Sequence, residues 1–336
     1  MHLNPAGGLK DSAMTDSHQK EVHVLKYFSS FISISGGKVI NVTEPALAFC
    51  PLAAHFYKEF KGAEGYTKKT MKDVIKKAVE SKIDTYGFFT DRRQLVSEGI
   101  AVPYGASEML MCALRKGLIE AAVVVCEGAG TVIVNTPEIV QGIGGRMNSL
   151  LLTSPIKGII KKLKQAGCRI VFDNALIDQV YGVREAIKAG YRNIAVTISG
   201  HAALSLKALR VLEKEKGARI IVLVVCTTAA TQEQIAAIRT YADLVWSCAS
   251  ADIRHMIGPM ALLQLSTQIP VFVLTREGIN FVAAYSNNPG CFRRLGRTKQ
   301  YLISNQNGGT HLIMGKTGAF LKEARLPAFA RRIPHF

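Results

Sequence analysis

The stretch NIAVTISGHAALSLKALRVLEKEKGARIIVLVVC (193–226) decides the fold. It predicts a strand over Ile194–Ile198, a helix over about 201–215, a stop at Gly217 and a second strand over Ile220–Cys226. Both strands are short, rich in Val and Ile, and lack polar alternation, as strands covered on both faces do. A strand–helix–strand unit of this length implies a right-handed crossover between parallel neighbours. The same signal recurs outward, at Ala122–Cys126, Arg169–Phe172, Leu244–Cys248 and Val271–Leu274. Helical segments at about 155–166, 178–189, 231–240 and 250–264 lie between these runs. Asp178 and Ser250 suit N-caps, and Gly167 and Gly190 suit helix stops. The expected fold is α/β, a doubly wound, mostly parallel sheet with helices on both faces.

A smaller N-terminal α+β portion is expected over 21–116. Val22–Val42 alternates around Ser35-Gly36-Gly37, a hairpin signal. Thr67–Ser81 has the spacing of an amphipathic helix, and Ser107–Lys116 a helix that Gly117 stops. A Rossmann-like core is expected over 117–286. Residues 1–20 are expected to be mobile, and 287–336 a basic, partly disordered tail.

Hydrophobic residues make up 48% of the 336-residue chain and charged ones 20%, which argues against global disorder. No apolar run reaches the roughly 20 residues of a membrane-spanning helix, and no secretory leader is evident, so a cytoplasmic setting with reduced thiols is expected. The net charge is +17, of which residues 281–336 supply nine Lys or Arg against Glu323 alone. Much of the rest sits on solvent faces of helices. Nucleic acid is therefore not expected as a partner except through the basic tail, by phosphate contacts. No zinc finger, helix-turn-helix or base-stacking signature occurs.

Cys126, Cys226 and Cys248 lie where apolar runs end. Ligands of open parallel sheets bind beyond the carboxyl ends of the strands. One shared rim for these thiols is the expectation, with Cys50, which precedes Pro51, covering it. Thiolates there could hold an iron–sulfur cluster or a metal, or one could be a nucleophile. Equally, a free cysteine packs as a small buried hydrophobe, and no CxxC spacing supports a metal locally. Two glycine-rich stretches could cradle an anion: Glu127-Gly128-Ala129-Gly130-Thr131, and Gly142 to Arg146 with Gly144 and Gly145. Neither has GxGxxG or Walker spacing, and each also reads as a tight turn. His201 is a candidate base or an exposed first-turn residue.

Cys50-Pro51-Leu52, CEGAGTVIV (126–134), VQGIGGRM (140–147), IDQVYGVREAIKAGY (177–191) and WSCASADIR (246–254) together resemble the DUF2099 family, also called methanogenesis marker protein 8. The resemblance runs from about Glu21 to Ala284 and leaves out both ends of the chain. It implies an anaerobic intracellular setting and a role in C1 metabolism or the maturation of its enzymes, and it supplies no reaction. Two readings follow. One is an enzyme or maturation factor with Cys126, Glu127 and Cys248 in catalysis and Cys50, Cys126 and Cys248 on a metal or cluster. Gly128, Gly130, Gly142, Gly144, Gly145 and Arg146 would then hold a small anionic ligand. The other is a non-catalytic α/β module that binds a nucleotide-like or phosphate ligand or docks on a partner enzyme.

Overall fold

A computed structural model describes residues 21–50, 53, 66–296 and 298–329. The expectation of a mobile segment at 1–20 and the Pro51-Leu52 part of the family-like motif lie outside the described residues. The chain opens with strands β1 (His23–Tyr27), β2 (Ser30–Ser35) and β3 (Lys38–Val42), then helices α1 (Lys68–Tyr86) and α2 (Ala106–Arg115). Next come β4 (Ala121–Cys126), β5 (Gly130–Val134), α3 (Pro137–Gly144), β6 (Ser149–Leu152), α4 (Lys157–Gln165) and β7 (Arg169–Ile170). The regular part holds α5 (Gln179–Lys188), β8 (Asn193–Ser199), α6 (Leu206–Lys216), β9 (Arg219–Val225), α7 (Gln232–Tyr241) and β10 (Leu244–Trp246). The chain continues through α8 (Ala251–Met256), β11 (Leu263–Leu265), β12 (Val271–Val273), α9 (Arg276–Ala284) and α10 (Gly290–Arg293). It ends in β13 (Tyr301–Ser304), β14 (Thr310–Met314) and β15 (Thr317–Glu323).

Eleven strands form one mixed sheet in the order β14-β15-β13-β11-β12-β10-β9-β8-β4-β5-β7. The centre, β10-β9-β8-β4, is parallel. Six of the ten pairings within this sheet, among the described residues, are antiparallel, which corrects the doubly wound, mostly parallel expectation. The four central strands are laid down in one direction, so this centre has no reversal of the kind that defines a doubly wound sheet. Short apolar runs carry burial but no direction, and β12 runs against β10 although its composition matches β9.

Helices do cover both faces. Alternate side chains of β4 separate cleanly: Ala121 and Val123 pack with Val183 of α5, Leu209 of α6 and Ile235 of α7. Ala122, Val124 and Cys126 pack on the other side with Met109 of α2, Ile143 of α3, Ile159 of α4 and Phe281 of α9. Asp178 and Ser250 cap as expected, accepting from the Tyr181 and Ile253 amides. The helix expected over 250–264 is shorter, because Pro259 follows a helix that has already ended and the chain re-enters the sheet as β11.

The N-terminal hairpins form a second, antiparallel sheet, β3-β2-β1-β6, packed on α1. Its Gly36-Gly37 turn has φ of 55° and 67°, the left-handed pair a two-residue hairpin needs. The fourth strand comes from residues 149–152, and α2 packs in the main core. Within the stretch 287–336, expected as a basic tail, the described residues include three strands. Strands β13 to β15 extend the large sheet, and Ile303, Leu312, Met314, Ala319 and Leu321 are buried in its core.

Candidate functional site

A cavity of about 270 Å³ lies beyond the carboxyl ends of the parallel strands. Its floor is Val125, Thr197, Ser199, Val225, Cys226, Trp246 and Cys248, from β4, β8, β9, β10 and the residues that follow them. The small sheet roofs it through Lys26, the Phe28–Ser29 turn, Ser149 and Leu150. The loop from Val102 to Gly105, the end of α3 and Arg146 close the sides. Its walls are mainly aliphatic and aromatic, which suits a compact organic ligand.

Ten non-glycine residues among the described residues have φ in the left-handed region. Six of them, Phe28, Ser29, Tyr104, Arg146, Cys226 and Cys248, line this one cavity. Such backbone costs of order 1–3 kcal/mol per residue and persists where surrounding structure enforces it, most often at functional sites. The enforcement is visible. The Trp246 indole donates to the Tyr104 carbonyl at 2.9 Å, and the Arg254 guanidinium donates to the Cys248 carbonyl at 2.7 Å. Glu108, buried at the wall, accepts from the amides of Ala101 and Val102, the Ser107 hydroxyl and the Gln141 amide, which fixes the loop above Trp246.

Three thiols, Cys50, Cys226 and Cys248, line the cavity, and each is half-buried. Burial pushes the Cys226 thiol up to about 12; neighbouring Cys248 adds to this, while Ser149 and Lys26 oppose it. Burial also raises Cys248. The backbone N–H groups of Thr227 and Cys226, the Thr227 hydroxyl and the charge of Arg254 pull it back. Lys26 Nζ lies 3.1 Å from His201 Nε2 and 3.4 Å from the Thr228 carbonyl. Burial lowers both Lys26 and His201, and the charge of Lys26 lowers His201 further.

Cys126 is elsewhere. It is the last ladder residue of β4, paired with Gly130, so the pleat turns it into the helix layer, where it is fully buried and does not line the cavity. Burial and the adjacent Glu127 push its thiol well above the ordinary value. The expected shared rim of Cys126, Cys226 and Cys248 is therefore corrected, and the set Cys50, Cys126 and Cys248 is not assembled. Among the described residues no group of three or more His, Cys, Asp or Glu could hold a metal ion. Glu127 is fully buried and paired with Arg93, whose guanidinium also donates to the carbonyls of Gln94, Gly142 and Ile143.

The glycine stretches serve backbone packing. Gly128 and Gly130 form the β4–β5 hairpin turn; an added Cβ would overlap Ile156 at Gly128 and the Ala175 carbonyl at Gly130. Gly142 and Gly144 are inside α3 and Gly145 caps it; they let α3 touch the Leu95 backbone and Ser107. Gly144 and Arg146 do line the cavity. The Arg146 guanidinium stacks on Tyr86, 4.6 Å from the ring centre. Lys26 and Ser149 carry no site signal in the sequence pattern; Lys26 is one outward residue in an alternating strand. Trp246, the chain's single tryptophan, at a strand end two residues before Cys248, was the available clue.

The model of a family described as "Uncharacterized protein conserved in archaea (DUF2099)" matches residues 23–286. The chain belongs to the DUF2099 family. An uncharacterized protein of Methanocaldococcus jannaschii is 35% identical over 248 residues, 74% of this chain and 84% of that protein. The family match spans the small sheet and every cavity-lining residue, and it stops before β13. No helix among the described residues is long and apolar enough to cross a membrane.

Proposed function

We propose that this DUF2099 protein is a thiol-dependent enzyme whose cavity takes a compact molecule with an apolar body and one anionic group. Cys248 is the nucleophile, Cys226 its partner thiol, and Arg146 the contact for the anionic group. The observation that carries this reading is the convergence of strained backbone and thiols on one cavity: Cys226 and Cys248 are both held at left-handed φ at its floor. Cys126 and Glu127 act from behind the wall, through Arg93 and its hydrogen bonds to the end of α3. A reducing cytoplasm, where all seven described cysteines stay free, and a maturation step in anaerobic C1 metabolism are the setting that fits the family resemblance.

The chemistry asked of Cys248 is simple. The sulfur attacks an electrophilic carbon, a C–S bond forms, and the thiol proton leaves with the displaced group. The backbone amides at Thr227 and Cys226 stabilise the developing sulfur anion. p-Nitrophenyl acetate tests this without knowledge of the natural substrate. Acetyl transfer to Cys248, seen by peptide mass mapping with a burst of p-nitrophenolate and lost in Cys248→Ser, is expected. Equal bursts from wild type and Cys248→Ser would overturn it. The burial that raises both cavity thiols favours a second reading, a non-catalytic ligand-binding module, which predicts no burst at all.

A further inference from the structure

We infer that Lys26 is a second nucleophile of the cavity, placed to capture a small aldehyde or ketone as an imine while His201 accepts the ammonium proton. This rests on the reading of the cavity as a substrate site, and it names the reactive group of that substrate.

Lys26 reaches the cavity from β1, one residue before the end of the strand and two before the strained Phe28–Ser29 turn. Its Nζ meets an imidazole nitrogen at 3.1 Å and a backbone carbonyl at 3.4 Å. Among the described residues no carboxylate pairs with it. The ion pairs of other half-buried or buried cations, Arg93 with Glu127 and Arg210 with Asp243, show what a retained charge looks like in this protein. A cation without a counter-ion beside apolar walls favours its neutral form, and burial holds Lys26 below the ordinary lysine value. The imidazole is itself held toward its neutral form, and in the tautomer protonated at Nδ1 its Nε2 accepts from the ammonium. The Phe31 ring, 5.9 Å from Nζ, flanks the amine.

The step balances without an oxidant or reductant. His201 Nε2 takes one proton from the ammonium. The amine lone pair then forms a C–N bond to the carbonyl carbon, and the carbonyl oxygen takes up a proton. That proton comes from the nitrogen and gives a carbinolamine; the His201 imidazolium then protonates its hydroxyl, the C–O bond breaks and water leaves, so that ammonium plus carbonyl gives a protonated imine plus water.

The test uses the intact protein with 2-butanone and sodium cyanoborohydride at neutral pH, followed by peptide mass mapping. Lys26 is expected to gain the reduced adduct faster than the exposed helix lysines Lys157 and Lys161, because burial raises its free-amine fraction. His201→Ala should slow labelling at Lys26 alone. Labelling of Lys26 no faster than Lys157, or an unchanged Lys26 rate in His201→Ala, would overturn the inference. Acetyl transfer to Cys248 is read on the same preparation. If Cys248 is acetylated while Lys26 stays unmodified, the thiol reading stands and the imine falls; if Lys26 is labelled while Cys248 is silent, the reverse holds.

Discussion

Arg93→Met is the perturbation whose consequence the structure specifies most fully. Arg93 is 3% exposed and Glu127 fully buried, so the substitution leaves a carboxylate in the core without its partner. It also removes the donor to the carbonyls of Gln94, Gly142 and Ile143 and a guanidinium stacked 3.7 Å from the centre of the Phe88 ring. Breaking a buried pair by removing one member costs about 3–5 kcal/mol. That is a large part of the 5–15 kcal/mol by which most domains are stable. With a urea slope of about 3 kcal/mol per M, the midpoint falls by about 1–1.7 M. Replacing both partners, Arg93→Met with Glu127→Leu, should recover much of the loss, since apolar replacement of a whole buried pair is often close to neutral. Urea unfolding followed by circular dichroism and by the single tryptophan, Trp246, reads all three variants. A loss below about 1 kcal/mol in Arg93→Met, or a double variant worse than either single one, would refute the structural role given to Glu127.

Three further outcomes are expected. Burial, together with the charges of Arg93 and Arg146, holds Lys82 down at about 7 while its amine donates to the Arg146 carbonyl and the Asn148 side chain. The unfolded chain, with Lys82 near 10.5, then binds a proton the folded chain lacks, so the Lys82 contribution to stability is full above 10.5 and is lost as pH falls through 7. The wild-type minus Lys82→Met difference in urea midpoint should therefore rise between pH 7 and 9.5, and parallel curves would contradict it. Gly144→Ala places a Cβ 2.6 Å from Ser107 Cβ and should cost about 1–3 kcal/mol, whereas Gly99→Ala, with only Ser97 Oγ at 4.0 Å, should stay within about 0.5 kcal/mol. Truncation after Asn287 strips β13 to β15 from β11 and should give insoluble protein despite removing only residues beyond the family match; a soluble, cooperatively unfolding product would contradict the sheet order.

Much of the fold was legible because β8, α6 and β9 combine apolar runs, helical spacing and a glycine stop in one uninterrupted unit. The antiparallel parts were not, because strand direction is set by connections. The Gly128 and Gly130 turn that makes β5 reverse on β4 looks in sequence like a ligand loop, since glycine serves a tight turn and an anion cradle by the same freedom at positive φ. The cysteines split for a related reason. All three end apolar runs, but Cys126 is still inside the β4–β5 ladder and is bound by the pleat to face the helices. Cys226 and Cys248 follow the last ladder residues of β9 and β10, where the backbone turns and delivers them to the cavity. Lys26 meets His201 and Thr228 across 175 and 202 residues of chain, which no local pattern announces.

If the cavity is the reactive site, Cys248 at its floor, and not the cysteine of β4, is the thiol available to reagents. Native alkylation with iodoacetamide under anaerobic conditions, with peptide mapping over time, tests it directly. Cys248 should be carboxamidomethylated first, while Cys126 and Cys168 stay unmodified until the protein unfolds. Modification of Cys126 in step with Cys248, or a Cys248 that reacts only after unfolding, would contradict the account.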